Sequence, residues 1–241
     1  MTAGLLFVAA IVGGGIAALA GFGIGSILTP LLALSVGTKQ AVVAVSIPHL
    51  IATALRFWKL RAHVDRNVLL HFGAASAAGG LLGALLHSRF SSPILAYMLG
   101  VLLVFAGTMG LTGLTKKIRF GRKSTWTGGA ASGLLGGLVG NQGGIRSAAL
   151  LGFNLDPKGF VATATAIALL VDFARMPVYF VSNPEVVAKM IVVIVAMTVG
   201  VVIGTLGGER VLRQLPDIYF RRIVSLLILA LGVVMLTGVV K

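Results

Sequence analysis

The sequence predicts an all-α integral membrane protein built from two related halves of inverted topology, and three observations carry that prediction. Hydrophobic residues make up 57% of the 241 and charged residues only 11%, with a mean hydropathy of +1.03. A soluble domain carries about 25% charged residues and cannot bury so much apolar surface. The apolar residues also form eight long runs, at approximately 4–36, 41–57, 67–87, 93–114, 125–153, 159–181, 185–207 and 219–240. A membrane-crossing helix needs roughly 20 such residues, whereas a membrane β-barrel would alternate polar and apolar residues along ten-residue strands. Finally, the first and fifth runs are too long for one straight span. Each is interrupted near its middle by glycines, AGFGIGS at 20–26 and VGNQGG at 139–144.

Run 1 lacks a basic leader and stays apolar past residue 20, so it reads as a first membrane segment and not a cleaved signal. Its break offers Gly23 and Gly25, with Ser26 and Thr29 as the nearby hydroxyls. Run 2 carries His49 directly after Pro48. A histidine there titrates near neutral pH and suits proton transfer, or else it is a hydrogen-bonded packing residue. His71 in run 3 has the same two readings, while His63 and His87 lie near loops without an assigned role. Glycines spaced four apart at Gly79/Gly83, Gly133/Gly137 and Gly200/Gly204 read as sites of close helix packing. The basic stretch TKKIRFGRK at 115–123 separates a first half, 1–114, from a second, 124–241.

Run 5 holds the densest polar group. Asn141, Gln142, Gly143, Gly144, Arg146 and Ser147 follow one another across the second break. Run 6 holds Asp172, the one acid deep in an apolar stretch, with Arg175 three residues on along the same helical face. That spacing makes a local ion pair easy, and proton uptake by Asp172 is the functional alternative.

A gapless shift of 119 residues relates the halves. It aligns Gly14 with Gly133, Gly21 with Gly140, Gly25 with Gly144, Lys39 with Lys158 and Arg56 with Arg175, among ten identities over about 43 positions. A shorter echo matches 79–89 to 200–210. Basic residues then discriminate between topologies. With all eight runs crossing fully, Lys and Arg divide eleven to seven between the two sides. With runs 1 and 5 entering and returning as hairpins, they divide fourteen to four, leaving Arg146 and Arg175 inside the membrane. The positive-inside rule favours the second arrangement, in which the second half is inverted.

Inverted repeats with broken helices are characteristic of transporters, because the breaks bring helix ends and free backbone groups to the bilayer midplane. A half-helix start presents free N–H groups and the positive end of its dipole, which suits an anion. Arg146 adds a permanent charge that pairs with oxyanions through two parallel hydrogen bonds. Its burial costs at least ~2.5–3.5 kcal/mol on insertion scales, so it needs a partner. That partner is an anion, a set of backbone carbonyls, or Asp172, unless the side chain snorkels to the membrane surface.

The paired segments AGFGIGSILTPLLALSVGTKQAVVAVS (20–46) and VGNQGGIRSAALLGFNLDPKGFVATATA (139–166), with LRAHVDRNVLLHFGAASAAGGLLGALL (60–86), resemble the sulfite exporter TauE/SafE family over nearly the whole chain. The resemblance implies a multi-pass permease of the bacterial inner membrane that moves sulfur-containing or other organic anions. The second break departs from the family pattern by carrying NQGGIRS without a proline.

The absence of cysteine excludes disulfides and thiolate chemistry, and no cofactor or metal site is indicated. The net charge of +14 sits in short loops between apolar runs, where it faces lipid headgroups and not nucleic acid. No phosphate-binding loop is present, which leaves a secondary transporter of a small anionic solute, working by alternating access with or without protons. An anion channel is the alternative, followed by an assembly factor or an intramembrane enzyme.

Overall fold

A computed structural model describes residues 3–113, 122–208 and 217–238. Residues 115–121 of the basic linker, together with Arg210, Arg213 and Lys241, lie outside the described residues. Helices joined by short turns make up nearly all of the described residues, and no strand occurs among them.

Run 1 folds as two helices, α1 (Ala3–Ala20) and α2 (Ile24–Val36). Gly21 at φ +76° and Gly23 at φ +140° part them, conformations that a side chain would strain. After α2 comes α3 (Thr38–Leu60), extended by a 3₁₀ turn to His63. Next, α4 (Arg66–His87) starts where the Asp65 carboxylate accepts a hydrogen bond from the Val68 N–H at 2.9 Å. Then α5 (Ser92–Thr112) ends at Gly113, which takes the left-handed cap conformation. Run 5 is again two helices, α6 (Arg122–Val139) and α7 (Gly143–Leu150), parted at Gly140 with φ +71°. Asp156 caps α8 (Pro157–Ser182) by accepting from the Gly159 N–H at 3.1 Å. The short α9 (Pro184–Lys189), α10 (Ile191–Gly207) and α11 (Asp217–Leu236) complete the described chain.

Six helices are long and apolar enough to cross a membrane: α1, α3, α4, α5, α8 and α11. The expected eight runs are thus reduced by α10, which is apolar but shorter, and by α6, whose first turns are polar (RKSTWT). The outer surface carries large apolar side chains such as Val181, Val192 and Leu70, as a lipid-facing surface requires.

Helix α1 packs on α10, α6 on α4, α5 on α11, and α3 on α8. Glycine makes the first two contacts close. A Cβ at Gly79 would meet the Ala130 carbonyl and one at Gly83 the Leu134 carbonyl, so α4 and α6 run parallel. Gly200 and Gly204 meet the carbonyls of Phe7 and Ile11 in the same way. Since Ala130 and Ile11 are 119 residues apart, Gly204 is the packing counterpart of Gly79. The sequence echo had placed Gly200 there. The slip is one helical turn, which keeps the glycines on the same face.

Contacts at the helix ends order the chain. Lys39 Nζ donates to the Ser88 carbonyl at 2.8 Å, and the Lys39 N–H to Ser92 Oγ at 3.2 Å. His87, buried, joins that end by bonding the Leu138 and Lys39 carbonyls at 2.7 and 3.2 Å. Elsewhere the Asp65 N–H donates to Thr163 Oγ1 at 2.9 Å, and the His71 and Trp126 rings meet edge-on at 5.7 Å. The starts of α4, α6 and α8 therefore share one end of the protein.

Candidate functional site

The two breaks face each other at the centre. Gly25 abuts the Gly140 carbonyl, Gly21 packs on Val161 of α8, and Gly140 packs on Val42 of α3. Each break is thus held by a helix of the opposite half. Between them lies a small cavity lined by Phe22, Gly23, Gly25, Ser26, His49, Gly140, Asn141, Gln142, Gly143 and Arg146. It has room for little more than a water molecule.

Arg146 is 2% exposed. Its Nη2 donates to the Gly21 carbonyl at 3.0 Å, while Nε and Nη1 are buried without a partner. Of the three partners weighed from sequence, a backbone carbonyl takes one arm, Asp172 takes none, and two nitrogens are left over. Asn141 Oδ1 accepts from Ser26 Oγ and from the Gly143 N–H, both at 3.3 Å, which leaves its Nδ2 unpartnered. Gln142 Oε1 and Ser147 Oγ are likewise buried without partners. Gly143 lies against Phe22, so a side chain there would strike the ring. Gly144 instead faces Ala106 of α5, away from the cavity.

Asp172, fully buried, and Arg175, 2% exposed, form an ion pair. Arg175 donates from Nε at 3.0 Å and Nη2 at 2.7 Å to Asp172 Oδ1, and from Nη1 to the Gly136 carbonyl at 2.7 Å. Tyr179 donates to the neighbouring Gly137 carbonyl. Together they cover the carbonyl end of α6 beside the second break. The other Asp172 oxygen, Oδ2, lies 2.7 Å from His49 Nδ1. A carboxylate only accepts, so Nδ1 carries the proton and Nε2 is the ring nitrogen left for the cavity that His49 lines.

Three residues not anticipated from the sequence belong to this group. Phe22 lies between the glycines of the first break and forms one wall. Thr53 stands 3.5 Å from His49 Nδ1 and accepts from Arg56 Nη2 at 3.2 Å. Arg56 is 3% exposed, with Nε and Nη1 unpartnered. The one signal for Arg56 was its alignment with Arg175 in the internal repeat. His71 stays outside the group, bonded to the Asn67 carbonyl.

Among the described residues no group of three His, Cys, Asp or Glu gathers to hold a metal ion. The arrangement instead offers unpartnered donors and surplus positive charge. A family model described as Sulfite exporter TauE/SafE matches residues 6–235. No curated protein and no solved structure matches the chain.

Proposed function

The chain belongs to the sulfite exporter TauE/SafE family, a family of membrane transporters, and from that premise we propose that it is a secondary transporter of a small oxyanion. Arg146 is its primary ligand. The observation that carries this reading is a guanidinium 2% exposed, lining the central cavity with two nitrogens unpartnered. Burying such donors is costly unless something accepts from them, and an oxyanion accepts from two at once. Asn141 Nδ2, the Gln142 amide N–H, Ser147 and the first N–H groups of α2 complete the donor set, with Gly143, Gly23 and Gly25 letting the ligand approach the backbone.

The two halves act as inverted repeats, with runs 1 and 5 as hairpins that enter the bilayer and return. Supporting this, the start of α6 and the start of α8 lie at one end of the protein, through Trp126 beside His71 and Thr163 beside Asp65. The beginning of α3 lies at the opposite end with Ser88 and Ser92. In this arrangement the bacterial inner membrane is the host bilayer, and the end carrying 58–66 and 156–158 is cytoplasmic. The cavity sits where the halves meet and in this closed form holds little more than a water molecule, so rocking one half against the other both widens it for an anion and alternates its exposure. His49, tied to Asp172, exchanges a proton with that cavity and couples transport to protons.

The test is a thermal-shift titration of the purified protein with sulfite, thiosulfate, sulfate, sulfonates and carboxylates, wild type beside Arg146→Ala and Arg146→Lys. A ligand at a hundred times its Kd stabilises the native state by about 2.7 kcal/mol. One class of anion should raise the melting temperature of wild type, and the shift should vanish in Arg146→Ala. An equal shift in all three proteins would place the anion elsewhere and remove Arg146 from the site.

A further inference from the structure

We propose that the site takes its oxyanion as a dianion, and that Arg56 is the residue that sets this charge preference. The inference rests on the anion-binding role of Arg146 and goes on to specify the charge of the substrate.

Three guanidiniums, Arg56, Arg146 and Arg175, are all at most 3% exposed, and Asp172 is the one buried carboxylate among the described residues. Arg175 is fully engaged by that carboxylate and by the Gly136 carbonyl. Arg56 and Arg146 each have a single neutral partner, Thr53 and the Gly21 carbonyl, and each keeps Nε and Nη1 unpartnered. The group therefore holds two positive charges more than it holds negative ones. Like charges buried together in a medium of low dielectric repel strongly, and a bound ligand relieves that repulsion in proportion to its own charge. A monoanion leaves one guanidinium uncompensated, whereas a dianion neutralises both.

The internal repeat explains why the surplus exists. In the second half Asp172 stands three residues before Arg175 and neutralises it. In the first half Thr53 stands three residues before Arg56, at the equivalent position, and offers only a hydroxyl. The first half thus lacks the carboxylate that the second half has. Thr53 also touches His49, which lines the cavity, so Arg56 connects to the ligand space through two side chains.

The probes are sulfate and thiosulfate against methanesulfonate, which presents a similar –SO₃ face with one charge fewer. Binding is measured by titration of the purified full chain. Wild type should bind the better of the two dianions at least about tenfold more tightly than methanesulfonate. Thr53→Asp, which supplies the missing carboxylate, and Arg56→Gln should both bring that ratio towards one, while Arg56→Lys keeps it. Methanesulfonate bound as tightly as the dianions by wild type would overturn the inference and leave the anion site standing. An Arg56→Gln protein that lost affinity for all three anions by the same factor would remove Arg56 from the role. Binding of none of them, nor of sulfite or a carboxylate, would overturn the proposed function and this inference together. The wild-type comparison stands whether or not the variants fold.

Discussion

Asp172 serves three nitrogens of two neighbours with two oxygens. Oδ1 accepts from two nitrogens of Arg175, and Oδ2 faces His49 Nδ1. Removing it would strand a buried guanidinium, which typically costs about 3–5 kcal/mol, so it is a poor position at which to separate structure from function. His49 is the better one, because Arg175 keeps its carboxylate when the imidazole is changed. In proteoliposomes, His49→Gln should abolish uptake driven by a proton gradient while the anion-induced rise in melting temperature persists. Proton-driven uptake at the wild-type rate in that variant would eliminate His49 as the coupling group. The Asp172–Arg175 pair was legible from spacing alone, since residues three apart share a helical face. The Asp172–His49 contact joins residues 123 apart and follows only from the packing of α3 on α8.

Among the elements, the two parallel pairs α1/α10 and α4/α6 set the distance between backbones. Gly133 illustrates how tightly: an added Cβ would run into the Ser76 carbonyl, which cannot retreat unless α4 moves away from α6. Gly128 lies on the same helix, yet its added Cβ would find its nearest neighbours, Phe72 and Ala149, at 3.8 and 3.9 Å. Gly133→Ala should destabilise the protein by about 1–3 kcal/mol through overpacking. Gly128→Ala should be neutral or stabilising by roughly 0.5–1 kcal/mol, because alanine is the better helix former. Melting temperatures in detergent check both, and equal effects from the two substitutions would refute this packing account. The four-residue glycine spacing disclosed close packing in the sequence, but it did not disclose the partner or the register. A helix face repeats every turn, so a sequence echo is ambiguous by one turn, and Gly204 proved to be the counterpart of Gly79.

At the scale of the whole molecule, the proposed inversion of the halves makes a prediction about sidedness. The chain has no cysteine, so single cysteines can be introduced without background. His63→Cys and Lys158→Cys, both at exposed positions, should react with a membrane-impermeant thiol reagent only from the cytoplasmic side. Arg89→Cys and Glu185→Cys, also exposed, should react only from outside. A protein whose eight runs all crossed would place positions 63 and 158 on opposite sides. Labelling of those two from opposite faces of the membrane would refute the hairpins.

Composition and periodicity by themselves determined the helical membrane class, the approximate spans and the two glycine breaks, because lipid solubility and helix termination are local properties of a stretch of chain. The repeat likewise appeared at a fixed offset without reference to any fold. Only the tertiary structure decided which buried donors meet which acceptors. Arg146 reaches the Gly21 carbonyl across 125 residues, and Ser26 reaches Asn141 across 115. Arg56, which the repeat had only aligned with Arg175, is drawn into the polar group through Thr53 and His49. Within one helix, spacing fixes neighbours at three and four residues. Between helices, neighbours depend on packing distance, direction and register, which no local spacing encodes.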